Sequence, residues 1–313
     1  MQRVLSTVVL LGLLFSTAAA FAITEHLKLT KSPVFGTLVS KRFSPTCGCA
    51  HGKARVSIKL RRADEVTVTI RGSGRKLVRT LASNQHEPRG RAVFVWDGST
   101  DLGTRAPDGV YQPEVHLAKQ HRTILLPNQI VLDTTAPKVL SASLSRGTIS
   151  PDGDHIGDSI KILYRFDERA HALVYLGPRL VLRSHGSKET GSVTWYGTLD
   201  GAPLPAGHYK LYVGGVDLAG NLIRASRRKP LVVRVRYIQL SHHRIVVGRP
   251  SVRFGVGVDT DARKYDWTLA GRHGTSSRRL LLLHAPKKAG RYTLVVTEHG
   301  HSDRAALVVR AGR

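Results

Sequence analysis

Few residues in this chain have side chains suited to forming a site. The only two cysteines, Cys47 and Cys49, stand one residue apart in the stretch FSPTCGCAHG, Phe43 to Gly52. Gly48 between them gives the backbone the freedom that a tight local ring needs. A local disulfide is one reading, and export would favour it. A bridge to a second molecule, two free thiols, and metal binding together with His51 are the others. A zinc centre takes four ligands, and the sequence holds no second cysteine pair to complete one. A thioredoxin-type redox centre uses C-x-x-C at a helix N-terminus, which this spacing is not. So short a bridge closes almost no loop and adds little by constraining the unfolded chain.

A second group is acidic. The stretch ISPDGDHIGDSIKILYRF, Ile149 to Phe166, carries Asp152, Asp154 and Asp158. Their spacing looks like the opening of a calcium loop, but Ile156 occupies the third ligand position and Leu163 replaces the closing glutamate. Two readings stand: a turn whose Asp side chains bond nearby backbone N–H groups, and a weak calcium site. The 15 histidines are scattered, and Gly300 between His299 and His301 favours a hairpin turn over a ligand pair. There is no G-x-S-x-G elbow, no H-E-x-x-H and no glycine-rich phosphate loop. Asp97, Asp101, Asp108, Asp200 and Asp217 stand in turn-forming contexts, which explains them without catalysis. The sequence predicts neither an enzyme nor a cofactor.

These residues are positioned by strands. With 313 residues and 41% hydrophobic content, the chain can build two or three packed domains. Runs such as VTVTI, AVFVW and LVVRVRYIQL alternate or are rich in β-formers, and long helical stripes are absent beyond the N-terminus. The fold class expected is all-β: tandem β-sandwiches, three in number, after an N-terminal hydrophobic helix.

An internal repeat supports this architecture. Aligning Ser44-Pro45 with Ser150-Pro151 puts Val56, Ile58 and Leu60 on Ile162, Tyr164 and Phe166 with the same alternating parity. Downstream, VFVWDGSTDLGTRAPDGVYQPEV pairs with SVTWYGTLDGAPLPAGHYKLYV: Trp96 with Trp195, Gly98 with Gly197, Gly109 with Gly207, and Tyr111 with Tyr209. In each copy Trp ends a strand and caps the core. Glycine follows in a turn where positive φ is expected. A second tight turn leads to Tyr, whose hydroxyl can reach backbone as in a tyrosine corner. The expected divisions are 1–22 signal peptide or membrane anchor, 32–134, 138–227, and a diverged third sandwich, 230–312. In the last, PKKAGRY again puts Gly before a strand-starting Tyr.

As a set, F-S-P, V-R-T-L (Val78 to Leu81), W-D-G and P-D-G-x-Y is similar to the Ig-like domain of the flagellar hook-capping family, also found attached to secreted bacterial proteases. The resemblance covers about residues 42–132 and, more loosely, 145–225. It implies a β-sandwich used as a stalk, spacer or assembly surface. The hook-capping segment that accompanies the domain in flagellar proteins is missing, so a flagellar role is not expected. The family pattern has S-P-N-G-D-G in its first loop; SPDGD approaches it, and SPTCGC departs from it.

The N-terminus combines Arg3, an apolar run from Val4 to Ile23 and the small-x-small pattern Ala20-Phe21-Ala22. That is an export signal, read as cleaved or as a retained single-pass anchor. The formal charge is +26. Residues 230–313 carry 16 Lys/Arg against 5 Asp/Glu. Arg272, Arg278, Arg279, Lys287, Lys288 and Arg291 form the cluster expected to meet an anionic envelope polymer. Aromatics are only 6%, without an aromatic-plus-basic stripe, so nucleic acid is not the expected partner. The function expected is a non-catalytic, exported cell-envelope spacer or binding protein. The alternative is an accessory or assembly subunit that binds a protein partner.

Overall fold

The computed structural model describes residues 2–29, 32–223 and 229–312; in the N-terminal helix, side chains are described for Thr7 and residues 9–22. The helix spans Gln2–Leu29, and Val9, Leu10, Leu11, Leu13, Leu14, Phe15 and Phe21 on it are exposed. Among the described residues, no helix is long and apolar enough to cross a membrane. The spanning reading of residues 1–22 therefore gains no support.

Among the described residues, all other regular structure except one short 3-10 turn is β, and the chain divides into two compact units, Met1–Thr134 and Thr135–Arg313. In the first, Val34–Val39, Ala54–Leu60 and Gly90–Trp96 form one sheet. The other runs Arg42–Phe43, Ile130–Leu132, Gly109–Leu117, Asp64–Arg71, Leu77–Glu87 in spatial order. Alternation does what period-two patterning requires: Ala54, Val56, Ile58 and Leu60 from one layer meet Val66, Val68 and Ile70 from the other in one core. Burying each of the larger side chains contributes about 1.5–3 kcal/mol. Asp64, at the start of its strand, is fully buried and accepts from the Lys119 N–H and Gln120 Nε2, both at 2.9 Å. Burial pushes its carboxyl up, but these hydrogen bonds outweigh burial and hold it below the usual range.

The second unit holds two sandwiches, each with its own hydrophobic core. In the first of these, the 17-residue strand Ile160–Leu176 serves both layers. Its first half pairs with Val139–Leu144 and Lys188–Trp195, its second with Gly207–Asp217 and Arg179–Arg183. The first unit builds the same path from two strands, Ala54–Leu60 and Asp64–Arg71. The last sandwich packs Gln239–Leu240, Arg253–Asp259 and Leu280–His284 against Arg244–Val247, His301–Val309, Gly290–Glu298, Tyr265–Leu269 and Arg272–Ser276.

The boundary expected at residue 230 is displaced. Strand Pro230–Val235 pairs along its length with Gly207–Asp217, and Val233, Val235 and Tyr237 lie in the middle sandwich's core. Gly207–Asp217 would otherwise be left as an open edge, so this strand closes the middle sandwich. The last sandwich starts at Ile238, the first residue of its core. Residues 224–227 of the expected middle division lie outside the described residues.

Candidate functional site

The repeated frame comes first, because it positions both loops that carry chemistry. Trp96 and Trp195 are fully buried, and each pairs with the first residue of the strand that follows the Ser-Pro loop: Trp96 with Ala54, Trp195 with Ile160. Each indole donates to the carbonyl three residues on, Trp96 to Ser99 at 2.8 Å and Trp195 to Thr198 at 3.0 Å. Gly98 and Gly197 have φ of +83° and +64°, the region the W-x-G turns were expected to need. Tyr111 donates to the Pro107 carbonyl at 2.5 Å and Tyr209 to Pro205 at 2.8 Å. Tyr292 does the same to Lys288 at 2.9 Å in the last sandwich. Gly109 and Gly207 open the strands that carry the first two tyrosines.

The two Ser-Pro loops occupy equivalent places. Ser44 N–H donates to the His51 carbonyl at 2.9 Å, and Ser150 N–H to that of Gly157 at 3.1 Å. What fills them differs. Cys47 and Cys49 are bridged, with Cα atoms 5.2 Å apart. Asp158 closes the other loop, accepting from Gly153 N–H at 3.0 Å and His155 N–H at 2.9 Å. Asp154 accepts from Ile156 N–H at 2.6 Å, and Asp152 from Asp154 N–H at 3.2 Å and the Ser150 hydroxyl at 3.2 Å.

The expected acidic triad is therefore divided. Asp158 turns to backbone, while Asp152 and Asp154 each bring a carboxylate oxygen together with one from Glu298, all within 4.8 Å of one another. Glu298 ends strand Gly290–Glu298 of the last sandwich and is 5% exposed. Its Oε2 accepts from the Thr260 hydroxyl, whereas its buried Oε1 has no hydrogen-bond partner among the described residues. Burial first, then repulsion from Asp152 and Asp261, pushes its carboxyl up to about 7. Asp261 borders the same place: it lies where a Cβ on Gly157 would be, its own carboxyl is raised mainly by burial, and Arg236 stands 3.6 Å away. Sequence reading missed Glu298, Thr260 and Asp261. Glu298 is more than 140 positions from Asp152, and the stretch VTEHGH marks it with no motif.

The six basic residues of the last sandwich are all exposed, but the fold separates them. Arg272 donates to the carbonyl of His284, close in sequence to Lys287, Lys288 and Arg291. Arg278 and Arg279 precede strand Leu280–His284, whose five residues span roughly 16 Å. They lie at its other end, where the Arg278 carbonyl accepts from Tyr265 at 2.6 Å.

Two-layered sandwiches with corner tyrosines define the architectural class, immunoglobulin-like. Within it, residues 44–120 match the model of the FlgD Ig-like domain. No curated protein matches the chain in sequence. Among solved structures, the I-band fragment I67–I69 from titin is 12% identical, with 91% of this chain and 100% of that one covered and a TM-score of 0.32. FlgD from P. aeruginosa is 15% identical over 51% of this chain and 98% of its own, TM-score 0.24. A Bacteroides ovatus protein, SGBP-B, solved in complex with a mixed-linkage heptasaccharide, is 14% identical over 90% and 69%, TM-score 0.22.

Proposed function

We propose that this chain is an exported, non-catalytic cell-envelope protein whose Ig-like sandwiches act as a spacer and offer a basic surface to anionic envelope polymers. The observation that carries the reading is the exposure of Arg272, Arg278, Arg279, Lys287, Lys288 and Arg291 in the last sandwich. Cations left in solvent remain free to meet an external anion. Turns take up some carboxylates of the first two sandwiches: Asp97 holds the Ser99 N–H and hydroxyl, and Asp217 gathers the N–H groups of Ala219, Gly220 and Asn221. Export rests on the N-terminal segment, whose apolar side chains project from the helix unburied. Pull-down with a purified anionic envelope polymer at about 50 and 500 mM salt tests the reading. Capture should fall steeply as salt rises.

A second reading, docking of a protein partner, is favoured by one feature of the first unit. Leu77 and Leu102, 45% and 90% exposed, line a cleft of about 590 Å³ together with Val78 and Tyr111. An interface built there would hold at high salt, which separates the two readings in the same experiment.

A further inference from the structure

We propose that Asp152, Asp154 and Glu298 hold a calcium ion at the joint between the two sandwiches of the second unit. The ligand atoms are all carboxylate oxygens, the donor set of a hard cation, and neither nitrogen nor sulfur stands among them. Calcium binds oxygen at about 2.3–2.6 Å, so two oxygens sharing one ion lie at most about 5 Å apart. The three carboxylates meet that limit, with their oxygens within 4.8 Å.

Two further observations separate this group from an ordinary acidic patch. Glu298 is 5% exposed, its Oε1 is buried with no hydrogen-bond partner among the described residues, and one of its carboxylate oxygens lies within 4.8 Å of those of Asp152 and Asp154. Leaving a buried carboxylate oxygen unpaired beside like charge is costly, and a cation removes the cost. The ligands also come from both sides of a short connection. Asp152 and Asp154 belong to the middle sandwich's Ser-Pro loop, Glu298 to the last sandwich. Only Arg236, Tyr237 and Ile238 lie between strands Pro230–Val235 and Gln239–Leu240. Tyr237 already ties this joint, stacking on His301 with ring centroids 3.6 Å apart and donating to the Leu204 carbonyl at 2.6 Å. An ion bridging the loop to Glu298 would lock the same joint from the acidic side. Asp261 adds negative charge nearby, partly offset by Arg236. This inference does not depend on the basic surface.

The test is calorimetric titration of the full chain with CaCl2 at pH 7.5 after chelation, with thermal unfolding in parallel. Wild type should bind one Ca2+ per joint. At about 100-fold excess over Kd, the Tm of the second unit should rise by roughly 5–10 °C. Glu298→Gln should unfold no lower than wild type in chelator, because it removes the unpaired charge, and should lose the calcium response. Asp154→Asn, at a half-buried loop position, should weaken binding at least tenfold and provides a second variant. No binding heat and no Tm change in wild type would overturn the proposal. So would an equal response in Glu298→Gln, or a Mg2+ response as large as that to Ca2+.

Discussion

A Cβ on Gly98 would lie 2.9 Å from Cγ of Pro45, and Gly197 stands in the same relation to Pro151, also at 2.9 Å. The proline of each Ser-Pro loop thus packs onto the glycine of its W-x-G turn. This contact joins two motifs that are about 50 residues apart in sequence. It requires glycine twice over, for positive φ and for closeness. Gly98→Ala should cost about 1–2 kcal/mol in backbone strain alone. Overpacking against Pro45 should add about 1–3 kcal/mol. Gly197→Ala should behave alike in the second unit. Denaturant midpoints measure both; a loss below about 0.5 kcal/mol would show that the turn can relax freely.

The corner tyrosines should differ in worth according to burial. Tyr111 is 5% exposed and its hydrogen bond to the Pro107 carbonyl is partly buried, so Tyr111→Phe should cost about 1 kcal/mol. The Tyr292 hydrogen bond to Lys288 is exposed, and water can replace it, so Tyr292→Phe should cost much less. Urea unfolding of the two variants provides the comparison.

Asp64 predicts a pH dependence. Its folded carboxyl is held below the ordinary value of 3.8, so its stabilisation is present above that value and is lost as pH falls through the lower folded one. Asp64→Asn should therefore be less stable than wild type at pH 7, by about 1.5–3 kcal/mol. The gap should narrow in acid, below about pH 4. Unfolding midpoints at pH 7, 5 and 3 would show whether the two curves converge.

The Cys47–Cys49 bridge closes only a three-residue ring, so the chain-entropy model gives it less than about 2 kcal/mol. Replacing both cysteines by serine should leave the first unit folded with a small midpoint shift. Intact mass of the untreated protein should lie two hydrogen masses below the reduced form. Two thiols that alkylate without reductant would contradict the bridge.

How far the sequence reveals this molecule depends on distance along the chain. The frame was legible because its partners recur at fixed spacing: Trp before Gly, then Tyr, then Trp195 and Tyr209 repeating the order. Both loops were legible as equivalent for the same reason. The last strand of the middle sandwich was not. LVVRVRYIQL reads as one β-rich run, and only the pairing of Pro230–Val235 with Gly207–Asp217 splits it between two sandwiches. Nor was the acidic site complete in the sequence. Local spacing nominated Asp158, whose carboxylate is consumed by the Gly153 and His155 N–H groups, while tertiary packing supplied Glu298. The basic run from Arg272 to Arg291 looks like one cluster in sequence. A strand lying between its members divides it in space.

The central claim is that the exposed cations at the two ends of strand Leu280–His284 bind anionic polymer. The most direct measurement is the affinity of the full chain for heparin, as a soluble polyanion, across about 50–500 mM salt. Two charge-reversal variants go beside wild type: Lys287→Glu/Lys288→Glu/Arg291→Glu and Arg278→Glu/Arg279→Glu. The account predicts that wild-type affinity falls at least tenfold over that range. It also predicts that the triple variant loses at least tenfold at low salt, while both variants keep the wild-type Tm within about 2 °C. Affinity that ignores salt and survives both reversals would contradict it.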